Sequence, residues 1–411
     1  MVNSFTGLSS LELFTGAGGL ALGVASAGFS HLGLVELNEH ACHSLRANSR
    51  RIRLMRGWPI FEQDARTFDF RTYSGKVTLI AAGAPCQPWS LGGKHAGHAD
   101  DRNLFPVVFR AAHETHAPVV VIENVKGLLR SSFSDYFEYI SLALSAPDMF
   151  SDKGEHWTAH KARLKKLEAK GQLSGQRYIV THQLLNAADY GVPQKRERVF
   201  IVALRSDLGI SWKPLVPTHS EDALLYAKWV SGEYWAEHRL RAPKTPDDVL
   251  ARVRRIGGQL GLWKERRWRT VRDALAGLPT PKDHVPHPLF LNHAGNPGAR
   301  SYAGHTGSPW DVPAKTLKAG DHGVPGGENT LRMDDGSVRY FSVREAARLQ
   351  GFPDAYEFQG AWSEGFRQLG NAVPVDLAAT VARHVRKLLQ DVSTETHGET
   401  FVSARESERV A

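Results

Sequence analysis

Cys86 stands in the run Leu-Ile-Ala-Ala-Gly-Ala-Pro-Cys-Gln-Pro-Trp-Ser, residues 79–90. Prolines at 85 and 88 fix φ on either side of the thiol, and the apolar residues before it read as a buried strand. A thiol held at a strand end is a candidate nucleophile; the segment alone equally admits a buried structural cysteine. Glu123 ends the apolar run 119–122, where poor solvation raises a carboxyl pKa and suits it to give a proton near neutrality; a capping or salt-bridged acid is the plainer reading. Gln194-Lys195-Arg196-Glu197-Arg198 precedes another apolar run. On a strand Arg196 and Arg198 point the same way, and two guanidinium groups could orient a carbonyl or carboxylate, or merely line a solvated edge. Phe14-Thr15-Gly16-Ala17-Gly18-Gly19 is a glycine turn through which a ligand could approach the backbone closely. Glu36 could accept from ribose hydroxyls and Asp64 from an amino group, which together favour a nucleoside ligand. The glycine spacing departs from the dinucleotide fingerprint, which counts against NAD.

These residues need strand ends to hold them. The pattern predicts strands over 8–14, 33–36, 77–82 and 119–123, with helices through 27, over 39–47 and over 104–116. That alternation predicts an α/β fold with a doubly wound, mostly parallel, Rossmann-like sheet. Residues 151–176 read as a charged helical excursion, and 178–185 with 198–204 as a further strand pair. From 212 to 340 prolines, glycines, histidines and tryptophans replace the rhythm, as in a separate loop-rich module. Helix signals return at 342–349 and 374–390, and the polar stretch from 391 reads as a disordered tail. The expected division is 1–211, an inserted 212–364, a returning 365–390 and the tail 391–411.

Composition bounds the class. The 411 residues are 42% hydrophobic and 23% charged, enough for a substantial core. Two cysteines, Cys42 and Cys86, exclude a disulfide framework and suit a reducing cytosol. The N-terminus lacks a signal-peptide pattern, and no apolar run is long enough for a bilayer. A net charge of +8 favours a polyanionic partner. His95, His98, His113 and His116 have no cysteine partner and read as surface polarity rather than metal ligands.

Taken in order, the blocks FTGAGGLALG, VELNEH, QDAR, GAPCQPWS, DDRNLF, IENVKG, LNAADYGVPQKRERVFIV, VREAARLQGFPD and QLGNAVPV resemble the DNA (cytosine-5)-methyltransferases. The resemblance runs from residue 8 to 389, with 212–314 lacking clear blocks. It implies that Cys86 attacks C6 of cytosine, Glu123 engages N3 and the exocyclic amine, and Arg198 holds O2 with Gln194 and Arg196 in support. Asn124 resembles an asparagine that braces the cysteine loop. Phe14, Gly16, Gly18, Gly19, Leu20, Glu36, Leu37, Asp64, Ala65, Pro85, Leu104, Asn371, Ala372 and Val373 match positions around S-adenosyl-L-methionine, which leaves as S-adenosyl-L-homocysteine. Leu37 stands where some members place an aromatic residue over the adenine.

The same resemblance implies double-stranded DNA as partner, with the target base flipped out of the helix. It makes 212–364 the target-recognition domain. Arg252, Arg254, Arg255, Lys264, Arg266, Arg267, Arg269 and Arg272, with Trp263 and Trp268 among them, form a basic stretch suited to phosphates or to a solvated helix face. Thr316-Leu317 resembles a signature before the recognition loop, where Asp321, His322, Glu328 and Asn329 could reach base edges. Gln87 and Ser90 adjoin the nucleophile on a loop that the family closes over the base. The expected enzyme is a monomer of a restriction–modification system, cytoplasmic and nucleoid-associated, with a cognate endonuclease acting on the same site without forming a complex. A transfer-RNA cytosine-5 methyltransferase and a catalytically silent DNA-binding module are the alternatives. The Pro-Cys-Gln motif with the long recognition region disfavours the first, and intact Cys86, Glu123 and Arg198 disfavour the second.

Overall fold

The computed structural model describes residues 7–85, 104–258, 264–302, 306–319 and 329–407, the stretch 392–407 as backbone. They divide into two compact units. One holds the described residues of Met1–Leu185, Glu197–Pro214 and Ala378–Ala411; the other holds those of Asn186–Arg196 and Leu215–Leu377. The hairpin segment Asn186–Arg196 and the stretch 365–377 therefore pack with the second unit, whereas the sequence assigned them to the catalytic part. No described helix is long and apolar enough to cross a membrane.

The first unit is built on β1 (Ser9–Leu13), α1 (Gly19–Ser26), β2 (Ser30–Glu36), α2 (Glu39–Arg51), β3 (Ile60–Glu62), β4 (Leu79–Gly83), α3 (Phe105–Thr115), β5 (Val119–Val125), α4 (Ser134–Ser145), α5 (Trp157–Ala169), β6 (Tyr178–Asn186) and β7 (Glu197–Arg205). The seven strands lie in the order β3-β2-β1-β4-β5-β7-β6. Pairing is parallel from β3 through β5, and β7 runs antiparallel to β5. The chain winds outward from β1 through β2 to β3, then restarts on the other side at β4. At that reversal the connections diverge and leave a crevice beyond the strand ends.

One face of the sheet buries Leu11, Leu13, Val35, Ile80, Ala82, Val120, Ile122, Val199, Ile201 and Ala203 against α3 and α4. Buried on both faces, β4 and β5 read as continuous apolar runs rather than alternating ones, as parallel strands require. The short edge strand β3 has no such run and went unrecognised in the sequence.

The last helix, α12, spans Val375–Ser407. The sequence marked 391 onward as a structureless tail. No proline follows Pro374 to stop the helix, so it continues beyond its last apolar anchors. Within the first unit α12 meets α1 at Gly23, where an added Cβ would stand 2.6 Å from the Ala379 backbone nitrogen.

The second unit contains β8 (His219–Ser220), α6 (Glu221–Trp229), α7 (Glu233–Glu237), α8 (Asp247–Gly257), β9 (Arg266–Arg267), α9 (Val271–Leu275), β10 (Thr330–Arg332), β11 (Val338–Tyr340), α10 (Val343–Leu349) and α11 (Trp362–Asn371). The expected loop-rich module thus carries helices, each too short to set a sustained period. Ser220 caps α6, and Thr270 and Ser342 close reciprocal capping boxes on α9 and α10. Such caps contribute about 1 kcal/mol each, which matters most to helices of so few turns.

The α1–α12 contact yields the first expectation. Replacing a helix-interior glycine by alanine ordinarily stabilises by about 1 kcal/mol. Gly23→Ala should instead destabilise by roughly 1–3 kcal/mol, because the methyl has no room against α12. Urea denaturation followed by far-UV circular dichroism gives the sign, and a stabilised variant would disprove this contact.

Candidate active site

The C-terminal edge of the sheet gathers most of the expected residues of the first unit. After β1 the chain turns through Phe14, Gly16 and Gly18 with φ of 57°, 56° and 77°. Phe14 is the non-glycine member of this left-handed set, a sparsely populated conformation that functional turns often hold. A Cβ on Gly16 would meet nothing within 4 Å, whereas one on Gly18 would collide with Leu45 at 2.8 Å. Gly16 therefore leaves a bare peptide facing open space, and Gly18 permits close packing on α2. Gly18 also begins α1 without a side-chain cap, so the first-turn peptides lack that partner. Gly19 and Leu20 are buried in that first turn.

Glu36 ends β2 and closes the turn from below. Its two oxygens accept from the Gly16 N–H at 2.6 Å and the Asn38 N–H at 2.7 Å. A carboxylate has about four lone-pair positions, so capacity remains for two ligand hydroxyls. Leu37 beside it is 63% exposed. Asp64 carries a partner that the sequence reading did not name. The Arg66 guanidinium forks onto it, with Nε at 2.9 Å and Nη2 at 2.7 Å from Oδ2, and holds its carboxyl below the usual range. A ligand amino group must share that carboxylate with Arg66.

Arg110 and Glu114, one turn apart on α3, were missed by the sequence reading. Arg110 donates to the carbonyls of Ala65 at 2.8 Å and Phe68 at 3.0 Å, and Glu114 accepts from the Phe70 N–H at 3.1 Å. They fix the turn after Asp64; their i,i+4 spacing was the available signal. Leu104 is half-buried at the start of α3.

Beyond the reversal, β4 ends at Gly83, whose Cβ would come within 3.3 Å of the Phe14 carbonyl. The glycine turn after β1 and the end of β4 therefore meet edge to edge. Ala84 is buried and Pro85 half-buried; Cys86, Gln87 and Ser90 lie outside the described residues. Asn124 is 1% exposed; its Nδ2 donates to the Ala84 carbonyl at 3.2 Å and its Oδ1 accepts from the Val125 N–H at 2.9 Å. The side chain thus ties β5 to the peptide two residues before the thiol.

Glu123 is in register with Gly83 and is 7% exposed. Antiparallel β7 brings Arg198 opposite Val125, and its Nε stands 2.8 Å from Glu123 Oε1. The acid is therefore ion-paired, not the isolated poorly solvated carboxyl that the sequence suggested. The antiparallel pairing of β7 supplies the partner, and no local pattern around Glu123 announces it.

In the second unit Arg196 departs from the expected alignment with Arg198. It precedes β7, is 1% exposed, and donates to the carbonyls of Leu317 at 3.0 Å, Gly370 at 2.6 Å and Ala372 at 3.0 Å. Gln194 donates to the Leu349 carbonyl and accepts from the Leu317 N–H, while the Thr316 hydroxyl donates to the Lys195 carbonyl at 2.6 Å. These groups satisfy backbone rather than a nucleobase. Asn371 is exposed, and Ala372 and Val373 are buried.

The expected recognition residues separate sharply. Asp321, His322 and Glu328 lie outside the described residues. Asn329 is 1% exposed, and its amide accepts from the Lys318 N–H at 3.0 Å and donates to the Lys318 carbonyl at 2.9 Å. This corrects its assignment to base edges, since both polar ends already serve the main chain. Arg267 is likewise engaged, by Asp273 and Glu237, as Arg252 is by Glu221 and Asp222 and Arg272 by Asp311. Arg254, Lys264, Arg266 and Arg269 are exposed. Buried His219 has its pKa lowered to about 4 through burial and the neighbouring Arg266, Arg269 and Arg267.

The family model for C-5 cytosine-specific DNA methylase matches residues 8–148 and 153–387. Type II methyltransferase M.NgoMIV of Neisseria gonorrhoeae is 32% identical over 389 residues, covering 93% of this chain and 98% of its own. Type II methyltransferase M.Eco47II of Escherichia coli is also 32% identical, covering 93% and 80%. In fold, the chain is similar to a mutant form of Spodoptera frugiperda DNMT2 (TM-score 0.53, 15% identity, 92% and 99% covered) and to Entamoeba histolytica methyltransferase EhMeth (TM-score 0.54, 14% identity, 92% and 98% covered). With that match over nearly its whole length, the chain belongs to the C-5 cytosine-specific DNA methylase family.

Proposed function

We propose that Cys86, Glu123 and Arg198 carry the reaction of this S-adenosylmethionine-dependent DNA (cytosine-5)-methyltransferase, on a cytosine flipped from duplex DNA. The observation that carries the assignment is the Glu123–Arg198 pair at 2.8 Å, on the strand bonded to the one that leads into Cys86. Cytosine C5 is too electron-poor to accept a methyl group directly. Addition of the Cys86 thiolate at C6, with Glu123 engaging N3, converts the ring into an enamine that is nucleophilic at C5. Arg198 holds O2 and orients Glu123, and Asn124 steadies the thiol by fixing Ala84. Loss of the C5 proton then lets the thiolate leave.

The site's own features suit the cofactor. Open space at Gly16, free lone pairs on Glu36 and the exposed Leu37 offer room, hydrogen bonds and an apolar surface to a nucleoside. When bound, S-adenosylmethionine supplies an electrophilic methyl group on a sulfonium and leaves as S-adenosylhomocysteine. Gln194 and Arg196 act as positioning residues that fix the strand entering Arg198. The enzyme works as a cytoplasmic, nucleoid-associated monomer, protecting sites cut by a separate endonuclease, in keeping with relatives named type II methyltransferases.

Cys86→Ser should abolish methyl transfer and keep duplex binding, since a hydroxyl is a far weaker nucleophile at neutral pH. A 5-fluorocytosine duplex should trap the wild type through Cys86. Cys42 cannot substitute, being fully buried with its thiol pushed up to about 12 by burial and by Glu36 and Glu62. Peptide mapping of the adduct decides, and an adduct on Cys42 would overturn the assignment. Tritium transfer to duplex DNA but not to transfer RNA separates the DNA enzyme from the alternative substrate.

Glu123→Gln should lower the single-turnover rate by roughly 10²–10⁴-fold and spare cofactor affinity. An unchanged rate in rapid quench would remove Glu123 from the chemistry.

For recognition, Arg266→Ala with Arg269→Ala should weaken binding equally on cognate and unrelated duplexes. The salt slope should flatten by about 0.9 per lost phosphate contact. Arg267→Ala should instead lower the melting temperature, because it strands Asp273 and Glu237. Asp321, His322 and Glu328 remain the candidates for base readout. Binding titrations at several salt concentrations, beside thermal melts, distinguish the two classes of arginine. Relaxed sequence preference in the Arg266/Arg269 variant would contradict this division.

A further inference from the structure

Glu12 is the one acid of β1, and its environment is unlike that of the other carboxyls around the cleft. Strand alternation sends Leu11 and Leu13 into the main core and Ser10 and Glu12 to the opposite face. Glu12 is in register with Leu34 and Ala81, is 0% exposed, and among the described residues no side chain donates to either carboxyl oxygen, the Ala21 peptide being the group directed at it. Two residues later the chain enters the turn at Phe14. An uncompensated carboxylate is rarely tolerated in such a place, whereas a protonated carboxyl is.

The groups facing Glu12 are few. From β2, Glu36 adds repulsion; His31, pushed to about 4 by burial, is neutral and engaged with Ser10 Oγ at 2.8 Å and the Ala21 carbonyl at 3.0 Å. Helix α1 contributes no charged side chain, only the Ala21 peptide, which favours the ionised form. From α12, Arg386 is spent on the Ala27 carbonyl at the far end of α1. Burial, then Glu36, therefore holds the Glu12 carboxyl well above the ordinary range. Among the described residues, none sets a cation beside it.

We propose that Glu12 is a proton-linked positioning residue of the cofactor cleft, which releases its proton to solvent when the cationic methyl donor binds and retains it when the product binds. The two ligands differ by the sulfonium charge, so a buried carboxyl beside the Phe14–Gly19 turn responds to one more than to the other. The O–H bond breaks, the proton goes to buffer, and the carboxylate stays to neutralise the added charge. This rests on reading that turn as the cofactor turn. Its consequence is that discrimination between donor and product increases with pH, by up to tenfold per pH unit while Glu12 titrates.

Isothermal titration in two buffers of different ionisation heat counts the protons released by S-adenosylmethionine and by S-adenosylhomocysteine. Wild type should release more with the donor, and Glu12→Gln should bind both ligands with that excess gone. The ligands' own amines titrate alike in both proteins and cancel. An equal excess in wild type and variant overturns the proposal. Failure of wild type to bind either ligand overturns the reading of the turn instead. The variant should fold. With a raised folded-state pKa, Glu12 takes up a proton on folding and lowers stability as pH rises above the unfolded value, so glutamine removes that slope. Should it fail to fold, the wild-type affinity ratio decides: a ratio flat from about pH 6 to 9 refutes the linkage.

Discussion

The reversal of strand order between β1 and β4 is the constraint on which the chemistry depends. A parallel sheet must return each strand through a crossover, and only where successive crossovers part company does the sheet edge stay open. Phe14 leaves β1 on one side of that opening and Ala84 leaves β4 on the other, close enough that a Cβ on Gly83 would stand 3.3 Å from the Phe14 carbonyl oxygen. Glu123 arrives one strand further on. The end of β4, Glu123 and the glycine turn are thus brought together by winding order rather than by sequence proximity.

A second constraint acts within the other unit. The Arg196 guanidinium, with no access to water, gathers carbonyls from Leu317, Gly370 and Ala372, segments far apart in the chain. Burying such a charge is unfavourable unless its hydrogen bonds are made, so the three segments hold one another in place. Gly370 adds to this by lying so close to Ala319 that a Cβ would come within 2.5 Å of its Cα. Asn329 performs a related task with both ends of its amide on Lys318. Polar side chains of this unit are therefore divided between building the backbone and facing outward.

That division explains what the sequence could and could not reveal. Strands β4 and β5 were legible because both faces are buried and the apolar run is unbroken. The glycine turn and Glu36 were legible because backbone approach demands particular residues at particular places. Arg196 was not, since a buried arginine and one aimed at a base look alike until the carbonyls around it are known. Arg267 had the same ambiguity, its acids lying 30 residues upstream and 6 downstream. Glu123 was found, but its partner came from an antiparallel strand inserted at the sheet's far side. The helical extension of α12 was missed because amphipathicity ends before the helix does.

The meeting of α1 with α12 has a consequence for how the chain is made. The ribosome delivers α1 before the intervening unit and Ala378 after it, so the face around Gly23 waits through the synthesis of that unit for its cover. The intervening unit, Leu215–Leu377, emerges while the first unit is still missing that helix. Covering of that face is thereby tied to the emergence of α12. A truncated or stalled product would display an open apolar face, and quality-control machinery could tell it from the finished enzyme.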